Sequence, residues 1–269
     1  MPNFDISQFK VVESPYYEEQ FNEVDLYKVA YDSRLPVMIK GPTGCGKSRF
    51  IEHMAYKLDK PIITVSCNED ITASDLIGRF LLDSDGTRWV DGPLTIAARH
   101  GAICYLDEVV EARQDTMVVI HSLTDHRREL MIDKKGELLK AHPDFQLVIS
   151  YNPGYQSLMK DLKQSTKQRF VALDFDFASP DIEAIIVSNE SGVDSEIAEK
   201  LVQFANTTRK LVGHGLDEGA STRLLNYAGI LISKGVDVKD ACQMALIKPI
   251  TDDTEVREAM NASIEAIFG

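Results

Sequence analysis

Eight consecutive residues carry the densest chemical signal in this chain. Gly41-Pro42-Thr43-Gly44-Cys45-Gly46-Lys47-Ser48 fits G-x-x-x-x-G-K-[ST] at every fixed position. Glycines at 41, 44 and 46 let the backbone curl until several N–H groups face one anion. A helix starting at the end of the run adds the positive end of its dipole. Lys47 then supplies a point charge for β- and γ-phosphates, and Ser48 a hydroxyl ligand for Mg²⁺. Within this phosphate cradle, Cys45 is a small loop filler in a place where alkylation would block a nucleotide.

Other residues extend this chemistry from phosphate binding to phosphate cleavage. Asp107 and Glu108 follow the apolar run Ala102–Leu106. Asp107 is placed to hold Mg²⁺, directly or through water, and Glu108 to orient and deprotonate an attacking water. Those tasks need separate carboxylates. Asn152 closes the run Phe145–Tyr151, where a neutral amide fixes water or the γ-phosphate without adding negative charge. It equally suits a plain Asn-Pro turn. Arg169, in Gln168-Arg169-Phe170, is a candidate for offsetting the charge that builds on the γ-phosphoryl oxygens, acting from a neighbouring subunit; Lys167 competes for that role. Arg223 opens a helix that Ser221 can cap, from where it could distinguish ATP from ADP. Each arginine would also serve as an ordinary surface ion-pairing group.

These groups need a scaffold, and the pattern supplies one. Pro36–Lys40 reads as a short buried strand before the loop and Arg49–Leu58 as a helix after it. Further strands are expected at 61–67, 102–106, 145–151 and 171–175, with helices at 21–33, 72–77, 94–100, 113–124 and near 156–168. Thr72 and Asp75 suit a capping box with Asp in place of the usual Glu. Arg79–Leu82 and Thr87–Val90 flank Asp85-Gly86, a hairpin signal inside an otherwise helical stretch. A second hairpin is expected at 130–140 around Lys135-Gly136. Phe80, Leu81, Leu82 and Trp89 make the first hairpin more apolar than an exposed loop needs. That suits a pore or partner contact, or packing of Trp89 and Leu81 on their own subunit. Alternating strands and helices imply a parallel sheet with the site at the strand C-termini. After Ser179 only helical patterns remain, at 180–191, 194–212, 219–234 and 237–247, with a shorter one at the end. The expected organisation is an α/β domain over 1–178 and a helical domain over 179–269.

Composition excludes several classes. The formal charge of −13 and the short basic clusters, Arg127-Arg128 and Lys134-Lys135, argue against nucleic acid as a partner. No apolar run approaches the roughly 18 residues of a membrane span, and Met1–Lys10 lacks the regions of a signal peptide, so a cytoplasmic location is expected. Cys45, Cys67, Cys104 and Cys242 show no C-x-x-C spacing and are read as reduced thiols. His121 and His126 have the wrong spacing for a metal site on one helix face.

Taken together, the phosphate loop at 41–48, the acidic pair 107–108, Asn152, Arg169, Arg223 and the helical C-terminal part resemble an AAA+ ATPase. The two inserted hairpins resemble the MoxR branch. The segments Lys40–Lys47, Thr72–Leu76, Leu106–Arg113, Ser150–Gln156 and Gly219–Arg223 resemble the CbbQ/NirQ/NorQ family. The resemblance implies a P-loop AAA+ core with a parallel sheet flanked by helices and a helical lid. It implies ATP and Mg²⁺, a ring that is usually a hexamer, and a CbbO-like partner with a von Willebrand factor A domain. In CbbQ-type members the client is Rubisco, freed from inhibitory sugar phosphates. In NorQ/NirQ-type members it is nitric oxide reductase. An ATP-gated assembly module with little turnover is a further reading, which the intact Glu108 and Asn152 disfavour.

Overall fold

The computed structural model describes residues 5–84, 86–153 and 162–269, with only the backbone at Asp83. The chain falls into two compact units. One comprises the N-terminal segment to Pro15, Phe21–Gly41 and Lys47–Phe175; the other comprises Tyr16–Gln20, Pro42–Gly46 and Asp176–Gly269.

The first unit is built on a five-stranded parallel sheet. Its strands are β1 (Val37–Lys40), β2 (Ile62–Ser66), β5 (Ile103–Asp107), β8 (Gln146–Tyr151) and β9 (Val171–Asp174), in the order β2-β5-β8-β1-β9. Every pairing in it is parallel. All six residues of β8 are buried, as are the first four of β5. Continuous apolar runs are what a strand covered on both faces requires. Register sets Ile149 beside Leu106 and Tyr151 beside Lys40, so β5, β8 and β1 end close together.

Helices cover this sheet. On α2 (Lys47–Lys57), Phe50 is fully buried and packs edge-on to Tyr27 of α1 (Glu23–Asp32), with ring centroids 5.5 Å apart. Its other neighbour is Phe175, at 5.0 Å. This aromatic stack lies one turn beyond Lys47 and anchors the start of α2. The short helix α3 (Ala73–Ile77) begins with the expected capping box: Thr72 accepts from the Asp75 N–H and Asp75 accepts from the Thr72 N–H.

Both hairpins form. β3 (Gly78–Asp83) pairs with β4 (Gly86–Asp91), between α3 and α4 (Pro93–His100). β6 (Glu129–Ile132) pairs with β7 (Glu137–Lys140) across a turn that Gly136 closes at φ 65°. Trp89 packs edge-on to Phe80 at 5.1 Å, reaches the main core, and donates its indole N–H to Asp91. Leu82, by contrast, is 83% exposed. The apolar residues of this hairpin therefore divide between packing and display. Arg99 of α4 ties the two hairpins down. Its Nε donates to Asp91 at 3.0 Å and its Nη1 to Glu137 at 2.6 Å.

Three elements differ from the sequence reading. The stretch 116–123 is helical but forms a 3₁₀ helix, Thr116–Leu123. Four of its first five residues are β-branched (Thr116, Val118, Val119, Ile120), a type that crowds the preceding α-helical turn. The helix read near 156–168 is seen as α5 (Gln164–Lys167); its 156–161 part, like Gly154–Gln156 of the family-like segment, lies outside the described residues. The last helix, α10 (Thr254–Phe268), is not short: it runs for 15 residues, capped by Asp253.

The second unit is helical. It contains α6 (Pro180–Ser191), α7 (Ser195–Arg209), α8 (Thr222–Ser233), α9 (Val238–Cys242), a π-helical turn over Gln243–Ile247, and α10. Leu201, Phe204, Leu225, Leu246, Met260 and Ile264 lead its separate core.

Arg99 generates a prediction. Lys135 and Arg99 hold the Glu137 carboxyl down to about 2, with the Arg99 hydrogen bond the larger cause. A depressed carboxylate contributes stability above its unfolded value near 4.5 and loses it as pH falls toward 2. Arg99→Ala should cost on the order of 2 kcal/mol at neutral pH. It should speed amide exchange in both hairpins, and the difference from wild type should shrink between about pH 4.5 and 2. Exchange measured across that range checks both statements.

Candidate active site

The loop after β1 has the conformation its glycines suggest. Gly44 and Gly46 have φ of 72° and 100°, in the left-handed region that favours glycine. At Gly41 the reason is space. A Cβ there would lie 2.5 Å from the Phe175 carbonyl oxygen. That carbonyl belongs to the residue after β9, so the loop's first residue fits only without a side chain.

Lys47 begins α2, and its Nζ donates to the Gly41 carbonyl at 2.8 Å. The ammonium thus folds back across its own loop. The positive end of the α2 dipole lies at Lys47, and a helix start of this kind suits an anion. Ser48 donates to Asp107 Oδ2 at 3.2 Å and lies 3.3 Å from the Tyr105 hydroxyl.

Asp107 is the best-held side chain of the site. Its Oδ1 accepts from the Tyr105 hydroxyl at 2.7 Å, from Ser150 Oγ, and from the Glu108 N–H at 3.1 Å. The Tyr105 hydroxyl also lies 3.0 Å from Ser150 Oγ. Tyr105 and Ser150 are both almost wholly buried. Burial, with the Asp107 charge second, pushes the Tyr105 phenol up, so it remains a donor throughout the neutral range. Tyr105 precedes Asp107 by two strand positions and shares its face. With Oδ1 saturated, Oδ2 is left to Ser48. A serine hydroxyl and a carboxylate oxygen converging in this way are the hard oxygen donors that suit Mg²⁺.

Glu108 differs from its neighbour in every respect. It is exposed, and its backbone sits at φ 53°, ψ 44°. A glutamate in the left-handed region costs about 1 kcal/mol. Its N–H is pinned by Asp107 and by Ser150 at 3.3 Å. The resulting turn sends adjacent carboxylates into different surroundings, one clamped and one open to solvent. Asn152 follows β8 directly, and the Tyr151 carbonyl before it accepts from the Gly41 N–H at 3.3 Å. Asn152 is thereby brought beside the start of the loop.

The two arginines have other settings. Arg169 donates from Nη1 to the His121 carbonyl at 3.2 Å and lies 3.9 Å from Asp125, while its buried Nε has no hydrogen-bond partner. Among the described residues, its polar contacts do not go to the loop. Lys167 lies over the Tyr151 ring, 5.8 Å from its centroid. Arg223 is exposed on the first turn of α8 and stands by Gly44, whose added Cβ would come within 3.4 Å of the Arg223 Cβ and 2.7 Å of Ser221. Ser221 caps α8 by accepting from the Leu224 N–H.

Three contributors were not singled out from the sequence. Tyr105 and Ser150 read as strand residues; the signal was their polarity inside otherwise apolar strands. Glu218 accepts a hydrogen bond from Thr43 of the loop, and burial holds its carboxyl above the ordinary range. No spacing joins residues that far apart. Among the described residues no cluster of His, Cys, Asp and Glu could hold a metal by itself, and no helix is long and apolar enough to cross a membrane.

The AAA domain (dynein-related subfamily) matches residues 36–170, and the CbbQ/NirQ/NorQ C-terminal family matches residues 183–267. The chain is 65% identical to Protein CbbQ of Hydrogenophilus thermoluteolus, over 97% of this chain and 98% of that one. It is 53% identical to Protein NorQ of Paracoccus denitrificans, over 96% of each, and 53% identical to the denitrification regulatory protein NirQ of Pseudomonas aeruginosa, over 89% of this chain and 92% of that one. Among solved structures, a point mutant of Thermotoga maritima RuvB superposes with a TM-score of 0.58 at 17% identity, covering 94% of this chain and 79% of that one. That likeness concerns the fold alone.

The Asp107 network predicts the effect of a single oxygen. Tyr105→Phe keeps the ring and removes one donor from Oδ1. The Mg²⁺ concentration that half-supports binding of a fluorescent ATP analogue should rise about three- to tenfold, the worth of one hydrogen bond. Binding without Mg²⁺ should be unchanged. A titration in the two conditions checks it.

Proposed function

The chain belongs to the CbbQ/NirQ/NorQ family and is an AAA+ ATPase, and from that membership we propose that it is the motor subunit of a Rubisco-remodelling system. ATP turnover would drive release of inhibitory sugar phosphates from Rubisco, with a partner carrying a von Willebrand factor A domain. The observation that carries the choice of client is the higher identity to CbbQ than to NorQ or NirQ. A nitric oxide reductase client is the alternative that the latter two relatives support.

The roles follow from chemistry. Lys47 and the N–H groups of the loop hold the β- and γ-phosphates. Ser48 and Asp107 would hold Mg²⁺, which when bound neutralises phosphate charge. Glu108, exposed and unclamped, takes the proton of the attacking water. Asn152 orients that water or the γ-phosphate. Arg169 acts on the site of the neighbouring subunit in a ring, which we take to be a hexamer; its contacts with His121 and Asp125 rather than with its own loop support this. Arg223, beside Gly44, senses the γ-phosphate. The exposed Leu82 of the first hairpin is a contact for client or partner.

Glu108→Gln cannot accept the proton, and should retain ATP binding while turnover falls at least a hundredfold. Lys47→Ala should weaken nucleotide binding itself. Arg169→Ala should abolish turnover with little change in affinity, and mixing it with Glu108→Gln chains should restore part of the rate, because each subunit then supplies what its neighbour lacks. Steady-state ATPase assays and nucleotide binding check these. The client is tested by adding inhibited Rubisco or inactive nitric oxide reductase with the von Willebrand partner. ATP-dependent recovery of Rubisco alone supports the proposal, and recovery of the reductase alone replaces it.

A further inference from the structure

The helical unit contains a buried ion pair built around the start of α8. Glu183 of α6 is fully buried. Its two carboxylate oxygens each accept from Arg209 of α7 at 2.7 Å, a bidentate pair. Oε1 also accepts from the Thr222 hydroxyl at 2.6 Å. Arg209 uses its remaining face on the same stretch of chain. Its Nε donates to the Ala220 carbonyl at 2.9 Å, and its guanidinium stacks 3.7 Å from the centre of the Phe177 ring. Beside it, Thr208 Oγ1 accepts from the Ala220 N–H at 2.9 Å. Gly219 lies so close that a Cβ would come within 2.6 Å of the Arg209 Cα.

Residues 219–222 are thus fixed at both backbone groups of Ala220, at the Thr222 side chain and by the tight fit of Gly219. The next residues are the ones that meet the loop. Ser221 lies against Gly44, and Arg223 follows on the first turn of α8. A buried pair of this kind is a weak source of net stability, because desolvation offsets most of the attraction. What it does supply is direction. A bidentate guanidinium–carboxylate pair has one geometry, and the donors on it transmit that geometry to α8.

We propose that Glu183, Arg209 and Thr222 form a positioning clamp that sets Arg223 for discrimination between ATP and ADP. The clamp rests on the reading of Arg223 as the γ-phosphate sensor. Stacking on Phe177 extends it to the segment just after β9, so that 176–178 and the first turn of α8 are held by one guanidinium. The three clamp residues act through Arg223.

The test uses the full chain with two probes, a fluorescent non-hydrolysable ATP analogue and the matching ADP analogue, and reads the ratio of their dissociation constants. Thr222→Val keeps the shape and the ion pair and removes only the hydroxyl donor, so it carries the test even if Arg209→Lys, which alters a buried charge, folds poorly. Arg223→Ala should collapse the ratio. Thr222→Val should lower it about three- to tenfold through the ATP analogue alone, and Thr222→Ser should restore it. Added to Arg223→Ala, Thr222→Val should change nothing further. A folded Thr222→Val chain with the wild-type ratio overturns the clamp. So does a loss of equal size for both probes, or a full additional loss on top of Arg223→Ala, since each marks a merely structural role. An unchanged ratio in Arg223→Ala overturns the sensor reading, and the clamp's proposed role with it; that outcome is distinct from a failure confined to Thr222→Val.

Discussion

The chemistry of this chain depends on how one carboxylate is held. Asp107 ends a strand whose preceding four residues are buried, so its side chain leaves a region where water cannot satisfy it. Three donors meet its Oδ1, from Tyr105, Ser150 and the Glu108 backbone. They come from two neighbouring strands in fixed register, which makes the sheet itself the positioning device. The consequence for the second oxygen is geometric. Oδ2 is turned to Ser48 on the first turn of α2, and α2 is anchored in turn by Phe50 between Tyr27 and Phe175. A change in any of these aromatic contacts would move the hydroxyl that Asp107 must meet.

The same logic of saturating a charged group from several sides recurs twice, for different ends. Arg99 joins Asp91 and Glu137 and so holds two inserted hairpins with one side chain. Arg209 joins Glu183, Ala220 and Phe177 and so holds one loop. Arginine suits both places because its planar fork bonds in more than one direction at once, which a lysine ammonium does only loosely. Partly exposed pairs such as those of Arg99 add modest stability, and their greater effect is to restrict where an insertion can go.

Much of this was legible in the sequence, and the reasons are local. The phosphate loop, the Thr72–Asp75 capping box and the two hairpins are each written in residues a few positions apart, where period and turn chemistry operate. The buried runs of β5 and β8 identified a parallel sheet for the same reason. What could not be read depends on residues distant in the chain. Tyr105 and Ser150 are 45 positions apart, and Glu183 and Arg209 are 26 apart. Sequence spacing carries no information on such pairs until register or helix packing brings them together. The 3₁₀ form of Thr116–Leu123 was hidden differently: its apolar pattern indicates a helix, while its β-branched residues bear on which kind.

Glu108 shows why adjacent acids need not be equivalent. Both belong to one dipeptide, and an extended backbone would simply place them on opposite faces of the sheet. Instead the chain turns into the left-handed region at Glu108, a conformation that strains a residue with a Cβ. The strain is offset by the N–H bonds to Asp107 and Ser150, so the network that fixes Asp107 also enforces the turn. One carboxylate becomes immobile, with Oδ1 committed and Oδ2 turned toward Ser48, which suits a metal ligand. The other remains solvated and free to accept a proton, as a base should be. The division of labour proposed for Asp107 and Glu108 would therefore be a property of the backbone between them, maintained by Tyr105 and Ser150.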